Sequence, residues 1–309
     1  MDAIKLSITP RRPGFFAEVE GVDLSAPISG ALFGEIEAAF NEYAVLLFRN
    51  QFVSDEEQVA FSEFFGPVFT ATKYSWRDDT RRLRAEMADI SNIDHLGEML
   101  GENDPRRFHN RANQLWHTDN SFKHVPARCS ILSAREIPPT GGNTEFADMR
   151  AAYDALSEAR RHDIDGLSVE HSIYRSREMT GFTDYSDAAR DELPPVRQVL
   201  VRVHPATGRK ALYIASHASH VIGWPKDGGR RLIEDLVAFA TQPEFAHAHQ
   251  WREGDLIIWD NRCTMHRARP YEEMTERRVL HRTTVSDEVN TVERLGQGSL
   301  EETADGARS

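Results

Sequence analysis

The first part of the chain combines helical and extended hydrophobic patterns. Apolar side chains recur at helical spacing over residues 30–43, and the apolar run AVLLF that follows is typical of a buried strand. Ser54 and Glu57 have the spacing of a capping box, which predicts a second helix that continues to about Phe65. We therefore expect helices that flank a strand.

From residue 114 onward the pattern becomes rich in strands. The predicted strands are 128–136, 143–148, 196–204, 210–214 and 255–259. Helical spacing returns at 149–163 and at 229–241. Several short strands separated by turn residues favour an antiparallel double sheet over alternating strand–helix units. The predicted fold class is mainly β with flanking helices.

No repeat or linker divides the sequence, which predicts a single domain over 1–309 with an ordered core of about 15–288. Residues 69–112 are polar and irregular apart from a predicted strand near 85–93, so we expect a lid or a disordered loop there. The polar tail 290–309 is predicted to be disordered.

Composition narrows the class of partner. The chain has 309 residues, 40% of them hydrophobic, and a formal net charge of −12, which argues against nucleic acid because phosphate binding needs a basic surface. A few local arginines can still attract a small anionic substrate. The sequence shows neither an apolar run long enough to span a membrane nor a secretory leader. The two cysteines, Cys129 and Cys263, fit a reducing cytoplasm.

His117 and Asp119, with His266 far downstream, form the strongest candidate site. On a strand over 116–121, side chains two residues apart project to the same side, so His117 and Asp119 can reach one ion. Two imidazoles and one carboxylate are the ligand set that holds non-haem iron(II) and leaves positions open for oxygen and substrate. The His-x-Asp pair is a weak signal by itself, because the chain contains 13 histidines.

Four ordered segments carry a family resemblance. They resemble the taurine dioxygenase family of iron(II)/2-oxoglutarate-dependent oxygenases, and within it the 2,4-dichlorophenoxyacetate (aryloxyacetate) dioxygenase branch. The segments are ANQLWHTDNSF, PPTGGNTEFADMRAAYDAL, GDLIIWDNRCTMHRARP and RRVLHRTTV. The resemblance covers about residues 15–285 and implies a double-stranded β-helix, or jelly roll.

The resemblance also implies roles for individual residues. His117, Asp119 and His266 would be the iron(II) ligands. Thr144 and Arg278 would bind the distal carboxylate of the co-substrate 2-oxoglutarate, and O2 would be the third reactant. A guanidinium offers paired donors to a carboxylate and stays charged, while a hydroxyl adds another donor.

Three arginines of the RRVLHRTTV segment are candidates for binding an anionic group. The RRVLHR alignment favours Arg278 over its neighbour Arg277, and strand alternation lets only one of them face the site. Arg282 lies on the same face as Arg278, and its family position contacts an anionic group of the substrate or co-substrate. An ion pair within the sheet is the alternative for Arg282.

Further positions match substrate contacts of the family. Asn113 corresponds to one such contact, and the backbone amide of Asn120 corresponds to another. The taurine enzymes have a His-rich substrate loop where this chain has FTATKYSW. In that segment Lys73 is a candidate for binding a carboxylate, and Tyr74 and Trp76 are candidates for packing against an aryl group.

The implied reaction is hydroxylation of an aryloxyalkanoate such as 2,4-dichlorophenoxyacetate. It gives a phenol and glyoxylate while 2-oxoglutarate becomes succinate and CO2. The first alternative keeps the enzyme class but exchanges the substrate for taurine, another alkyl sulfonate or another aromatic carboxylate. The second is a jelly-roll binding protein without catalysis. The family usually assembles as homo-oligomers, so we expect the same here.

Other conspicuous side chains have structural interpretations. His217 and His220 have the spacing of a metal-binding pair, but their turn-rich context favours histidines of a pocket wall or a loop. Trp116, Trp251 and Trp259 are expected to pack in the core.

Overall fold

The computed structural model describes residues 6–70, 81–181 and 187–295. The strands are β1 (Ser7–Arg12), β2 (Phe16–Glu20), β3 (Val45–Phe48), β4 (Met87–Ser91), β5 (Ala127–Glu136), β6 (Thr144–Asp148), β7 (Ser168–His171), β8 (Val196–Val199), β9 (Val201–Val203), β10 (Lys210–Leu212), β11 (Ala218–Val221), β12 (Ala246–His249), β13 (Leu256–Asp260), β14 (Thr264–Ala268) and β15 (Val279–Ser286). The helices are α1 (Gly30–Tyr43), α2 (Asp55–Glu63), α3 (Pro105–Arg111), α4 (Met149–Asp154), α5 (Glu158–Ile164), α6 (Ile173–Glu178), α7 (Asp187–Glu192) and α8 (Lys226–Ala240), with a 3-10 turn at Ala112–Gln114. Across the described ranges, no helix has the length and hydrophobicity needed to cross a bilayer.

A seven-stranded sheet, in the order β1-β2-β3-β13-β5-β15-β4, forms the main layer of the fold. Smaller sheets have the orders β12-β6-β14, β11-β7-β8 and β10-β9. Leu132 and Ile257 of the main layer share one apolar core with Phe146 and Met265 of the β12-β6-β14 sheet. The core therefore lies between two β layers, as sheet-on-sheet packing requires.

Side-chain alternation along the main sheet creates a second core on its other face. In β3, Leu47 belongs to the core between the sheets, whereas Leu46 and Phe48 pack in a cluster with Phe40 of α1 and Phe61 of α2. Both faces of this strand are buried, which explains why its sequence is a continuous apolar run rather than an alternating one.

Capping residues decide where the helices begin. The Ser54 hydroxyl accepts from the Glu57 N–H, and the Glu57 carboxylate accepts from the Ser54 N–H, so the predicted capping box is confirmed at the start of α2. The single helix predicted over 149–163 is wrong. Two helices, α4 and α5, occupy that stretch, because Ser157 caps the start of a new helix after a break.

The ordered chain continues past residue 289, where the sequence predicts a disordered tail over 290–309. The Thr291 hydroxyl accepts from the backbone N–H of Val199 at 2.9 Å, and the side-chain amide of Asn290 donates to the carbonyl of Arg197 at 3.2 Å. Both side chains are buried. These contacts hold residues 290 and 291 against β8, so the described structure extends past the predicted start of the tail.

In the segment 69–112, β4 confirms the strand predicted near 85–93, and α3 is a helix where irregular chain was expected. β4 pairs with β15 at the edge of the main sheet, and α3 precedes the 3-10 turn that leads to the candidate site. A hydrogen bond of 2.6 Å from Arg107 to Glu273 ties α3 to the loop before β15. β4 and α3 are therefore each held by a contact with a later part of the chain.

Candidate active site

A pair of backbone hydrogen bonds brings the two distant histidines together. The His117 N–H donates to the His266 carbonyl at 2.9 Å, and the His266 N–H donates to the His117 carbonyl at 2.8 Å. The imidazole centroids are 4.1 Å apart. The strand predicted over 116–121 is wrong, since the segment has only this isolated bridge to β14 before it turns. The one bridge is nevertheless enough to place both imidazoles at one point.

Asp119 completes the cluster. Its Oδ1 lies 3.7 Å from Nε2 of His117, and its Oδ2 lies 3.8 Å from Nε2 of His266. The three ligand atoms lie within 4.8 Å of one another, and all three side chains are buried. Donors that share one first-row metal ion at about 2.1 Å each are separated by roughly 3–4 Å. The spacing therefore suits a single ion held on one face.

The protonation states of these groups also suit a metal ion. Nδ1 of His117 lies 2.8 Å from the carbonyl of Leu115, and donation to that carbonyl leaves the lone pair of Nε2 facing Asp119. Burial lowers the pKa of His117 and of His266, so both imidazoles are neutral near pH 7. Each can therefore offer a nitrogen lone pair to a metal ion. Burial alone would raise the pKa of Asp119, but the Arg282 guanidinium and the hydrogen bond from Ser130 hold it well below its usual range. Asp119 is therefore an ionised carboxylate.

A small hydrogen-bond network holds Asp119 in place. The Ser130 hydroxyl donates to Oδ2 of Asp119 at 2.7 Å, and the side-chain amide of Asn261 donates to that hydroxyl at 2.9 Å. Oδ1 of Asn261 accepts from the Asp119 N–H at 3.2 Å and from the Trp259 indole at 3.1 Å. The sequence pattern does not predict a role at the site for Ser130 or Asn261. The only hint is the position of Asn261, two residues after the strand predicted over 255–259.

We expect the substitution Ser130→Ala to weaken iron(II) binding by about tenfold, because outer partners that orient a ligand are worth about 10- to 100-fold in metal affinity. Anaerobic titration with iron(II) measures this effect. Ser133→Ala is the matched control, since Ser133 is also buried on β5 but donates to Gln58 instead. Equal iron affinity in the two variants would contradict the role of Ser130.

Thr144 and Arg278 line the same pocket as His117 and His266. Arg278 is buried, and its Nε donates to the carbonyl of Gly142 at 3.2 Å. Gly142 has φ 65°, and a Cβ at this position would lie 3.2 Å from the Arg278 side chain, so glycine is needed for the close approach. Burial lowers the pKa of Arg278 to about 10, which leaves the guanidinium charged at neutral pH.

The choice between the two adjacent arginines follows from their surroundings. Arg277 is exposed and forms a surface ion pair with Glu136, with 2.7 Å between Nε and Oε2. No carboxylate of the described chain partners Arg278, whose pKa is affected only by burial and by the neighbouring Tyr271. The inward-facing cation is therefore Arg278, as strand alternation predicts.

Two of the predicted substrate contacts, Asn113 and Arg282, line the pocket. Nη1 of Arg282 donates to Oδ1 of Asp119 at 2.7 Å, so Arg282 does form an ion pair, but its partner is the acidic member of the candidate cluster and not a residue of the sheet. Asn120 adopts φ 52° in the turn after Asp119 and is not among the described residues that line the pocket. Lys73, and with it the FTATKYSW segment from residue 71 on, lies outside the described residues.

The remaining histidines have structural surroundings. His217 is buried, and its ring lies nearly perpendicular to that of His117 with centroids 6.3 Å apart, so it lies beside the cluster. His220 lies beside Glu170 instead, with 3.7 Å between Nδ1 and Oε1. The two histidines therefore have different neighbours, and neither is among the described residues that line the pocket.

A second group with metal-binding residue types, His204, Asp260 and Cys263, is closed by its own contacts. Nε2 of His204 lies 2.9 Å from Oδ2 of Asp260, and its Nδ1 accepts from the Thr207 N–H at 3.2 Å. Arg262 donates to both oxygens of Asp260. Neither ring nitrogen of His204 is left to bind an ion, so this group is a buried structural network.

Comparison with known proteins agrees with this geometry. The pattern of the family described as taurine catabolism dioxygenase TauD, TfdA family matches residues 7–284. The chain is 45% identical to the alpha-ketoglutarate-dependent 2,4-dichlorophenoxyacetate dioxygenase of Cupriavidus pinatubonensis, covering 91% of this chain and 98% of that protein. It is 36% identical to the (S)-phenoxypropionate/alpha-ketoglutarate-dioxygenase of Sphingobium herbicidovorans, covering 90% of this chain and 94% of that protein.

A crystal structure of AAD-2 in complex with Mn(II) and N-oxalylglycine is also similar. It has a TM-score of 0.89 and 42% sequence identity, and the match covers 93% of this chain and 99% of that one. The predicted jelly-roll fold and the predicted dependence on iron(II), 2-oxoglutarate and O2 are thereby confirmed. The chain belongs to the TauD/TfdA family of iron(II)- and 2-oxoglutarate-dependent dioxygenases.

Proposed function

We propose that this enzyme hydroxylates an aryloxyalkanoate, such as 2,4-dichlorophenoxyacetate, on the carbon beside its ether oxygen. The product is a hemiacetal that collapses to a phenol and glyoxylate. In the same turnover one oxygen atom of O2 enters 2-oxoglutarate, which loses CO2 and becomes succinate. The observation that carries the proposal is the buried His117–Asp119–His266 cluster, which shares one pocket with the buried Arg278. The substrate class follows the relatives that are named for aryloxyalkanoates.

The roles of the pocket residues follow from their chemistry. His117, Asp119 and His266 would hold iron(II), which together with 2-oxoglutarate and O2 supplies the oxidising chemistry when bound. Arg278 would donate paired N–H groups to the distal carboxylate of 2-oxoglutarate, and the Thr144 hydroxyl would donate to the same group. Both side chains are buried, so water competes little for these donors.

The substrate carboxylate needs its own partners. Arg282 lines the pocket and is 18% exposed, so it can contact an incoming anion while it remains bonded to Asp119. Asn113 would add an amide donor from the 3-10 turn, and the backbone amide of Asn120 another. Lys73 remains a proposed carboxylate contact. In this proposal the substrate is a small anionic aromatic molecule.

The setting of the enzyme is part of the same proposal. Cys129 and Cys263 are buried free thiols, which is ordinary for a protein of a reducing compartment. We infer a cytoplasmic location and a homo-oligomeric assembly, the latter from family precedent.

The proposal is tested by measuring how much succinate forms with each compound of a substrate panel. The protein is reconstituted anaerobically with iron(II) and 2-oxoglutarate, mixed with aryloxyacetates, other aromatic carboxylates or alkyl sulfonates, and then exposed to oxygen. We expect aryloxyacetates to give the strongest succinate formation, with one phenol released for each succinate. Stimulation by sulfonates alone would contradict the substrate class, and no succinate with any compound would favour a binding protein without catalysis.

A further inference from the structure

Trp251 forms a direct contact with the pocket residue Thr144. The indole Nε1 of Trp251 lies 2.9 Å from Oγ1 of Thr144, and both side chains are buried, at 5% and 3% exposure. The contact arises from the sheet, since Thr144 at the start of β6 pairs with His249 at the end of β12, and Trp251 follows two residues later. From the sequence Trp251 is expected only to pack in the core, and it does belong to the core between the sheets.

The direction of this hydrogen bond restricts what the Thr144 hydroxyl can do. An indole N–H is a donor only, whereas a hydroxyl has one hydrogen and two acceptor lone pairs. The Thr144 oxygen must therefore accept from Trp251, and its own hydrogen is left for another acceptor. Among the contacts of the described residues, this hydroxyl donates to no protein group, and Thr144 lines the pocket beside Arg278.

We propose that Trp251 is a positioning residue that fixes the Thr144 hydroxyl as a donor to an anionic ligand beside Arg278. This inference rests on the proposed function, in which the ligand group is the distal carboxylate of 2-oxoglutarate. Without the indole N–H, the hydroxyl would be free to rotate. Its hydrogen would then point at the carboxylate for a smaller fraction of the time. The contribution of Thr144 to 2-oxoglutarate binding then depends on Trp251.

The surroundings of Trp251 hold the indole at a fixed angle. The His249 ring packs edge-on against it, with centroids 4.8 Å apart and planes at 90°. Nε2 of His249 is bonded to Oδ2 of Asp255 at 3.0 Å, and Arg49 donates to the same oxygen at 2.7 Å. The N–H of Arg252, next to the tryptophan, also donates to Asp255 at 2.9 Å. The indole therefore cannot turn away from Thr144 without disturbing a buried ion-paired network.

The test measures binding rather than turnover. Titration calorimetry of the Mn(II)-loaded full-length protein gives the Kd of N-oxalylglycine, a 2-oxoglutarate mimic that keeps the distal carboxylate. Trp251→Phe and Thr144→Val should each weaken this binding by about tenfold, as expected for one lost hydrogen bond to a charged group. Trp251→Phe in the Thr144→Val background should cause little further loss. Pyruvate, which lacks the distal carboxylate, should bind equally well to all variants.

Controls separate positioning from packing. Phe245→Leu removes ring atoms from the same buried core without touching the pocket, so it should lower thermal stability and leave the Kd unchanged. If Trp251→Phe fails to fold, replacement of Trp251 by benzothienylalanine keeps the bicyclic shape and removes only the N–H.

The possible results are distinct. An unchanged Kd in the Trp251 variants, or an equal loss with and without the Thr144 hydroxyl, would overturn the positioning role. If wild-type protein with Mn(II) does not bind N-oxalylglycine at all, the proposed function fails instead.

Discussion

Asp119→Asn is expected to abolish iron binding and 2-oxoglutarate decarboxylation together. The substitution keeps the size of the side chain but removes the negative charge that faces both imidazoles at 3.7 and 3.8 Å. Loss of an outer partner alone costs about 10- to 100-fold in metal affinity, so loss of the carboxylate ligand should cost at least about a hundredfold. Anaerobic titration with iron(II) and succinate analysis after exposure to oxygen measure the two effects.

The control for this substitution is Asp287→Asn. Asp287 is a buried carboxylate paired with Arg202 and Arg294, and it is not among the pocket-lining residues of the described chain. Its loss should lower stability and leave iron binding unchanged. Succinate formation at the wild-type rate by the Asp119 variant would refute the metal role of this residue.

Arg278→Gln is expected to raise the KM for 2-oxoglutarate by roughly a hundredfold, with a smaller effect on kcat. Removing one member of a buried charge pair costs about 2–5 kcal/mol, and about 2.7 kcal/mol, in the lower half of that range, corresponds to a factor of this size. Steady-state succinate formation at varied 2-oxoglutarate gives both constants.

Arg277→Gln is a closely matched control, because it removes the same charge one residue away on the exposed face. Its partner is the surface residue Glu136, and surface ion pairs contribute little. The KM for 2-oxoglutarate should stay at the wild-type value. A large increase in this variant, with none in Arg278→Gln, would reverse the assignment of the inward-facing arginine.

Local features of the fold could be predicted from the sequence. The capping box of Ser54 and Glu57 lies within four residues, so it depends on no distant contact. Strand alternation separates Arg277 from Arg278 for the same reason. The prediction of one helix over 149–163 is wrong because the apolar spacing continues through the break between two helices. The side chain of Ser157, which caps the second helix, decides where that helix begins.

Groups that depend on tertiary register could not be predicted. Ser130 and Asn261 meet across 131 positions in the sequence, and Trp251 and Thr144 meet across 107. A serine or a tryptophan in a strand-rich region has many ordinary roles, and nothing nearby in the sequence distinguishes them. The His117–Asp119 spacing indicated the cluster even though the strand expected to carry it is absent, because one bridge to β14 replaces a full ladder.

The bond between Arg282 and Asp119 should stabilise the fold of the metal-free protein. Arg282 and Ser130 each bond one oxygen of this carboxylate, so the protein itself balances the negative charge. A buried carboxylate with no such counter-charge would either take up a proton or destabilise the folded state. Chelators should accordingly strip the ion and leave a native-like apoprotein that regains activity on re-addition of iron(II), unlike domains that unfold when their metal leaves.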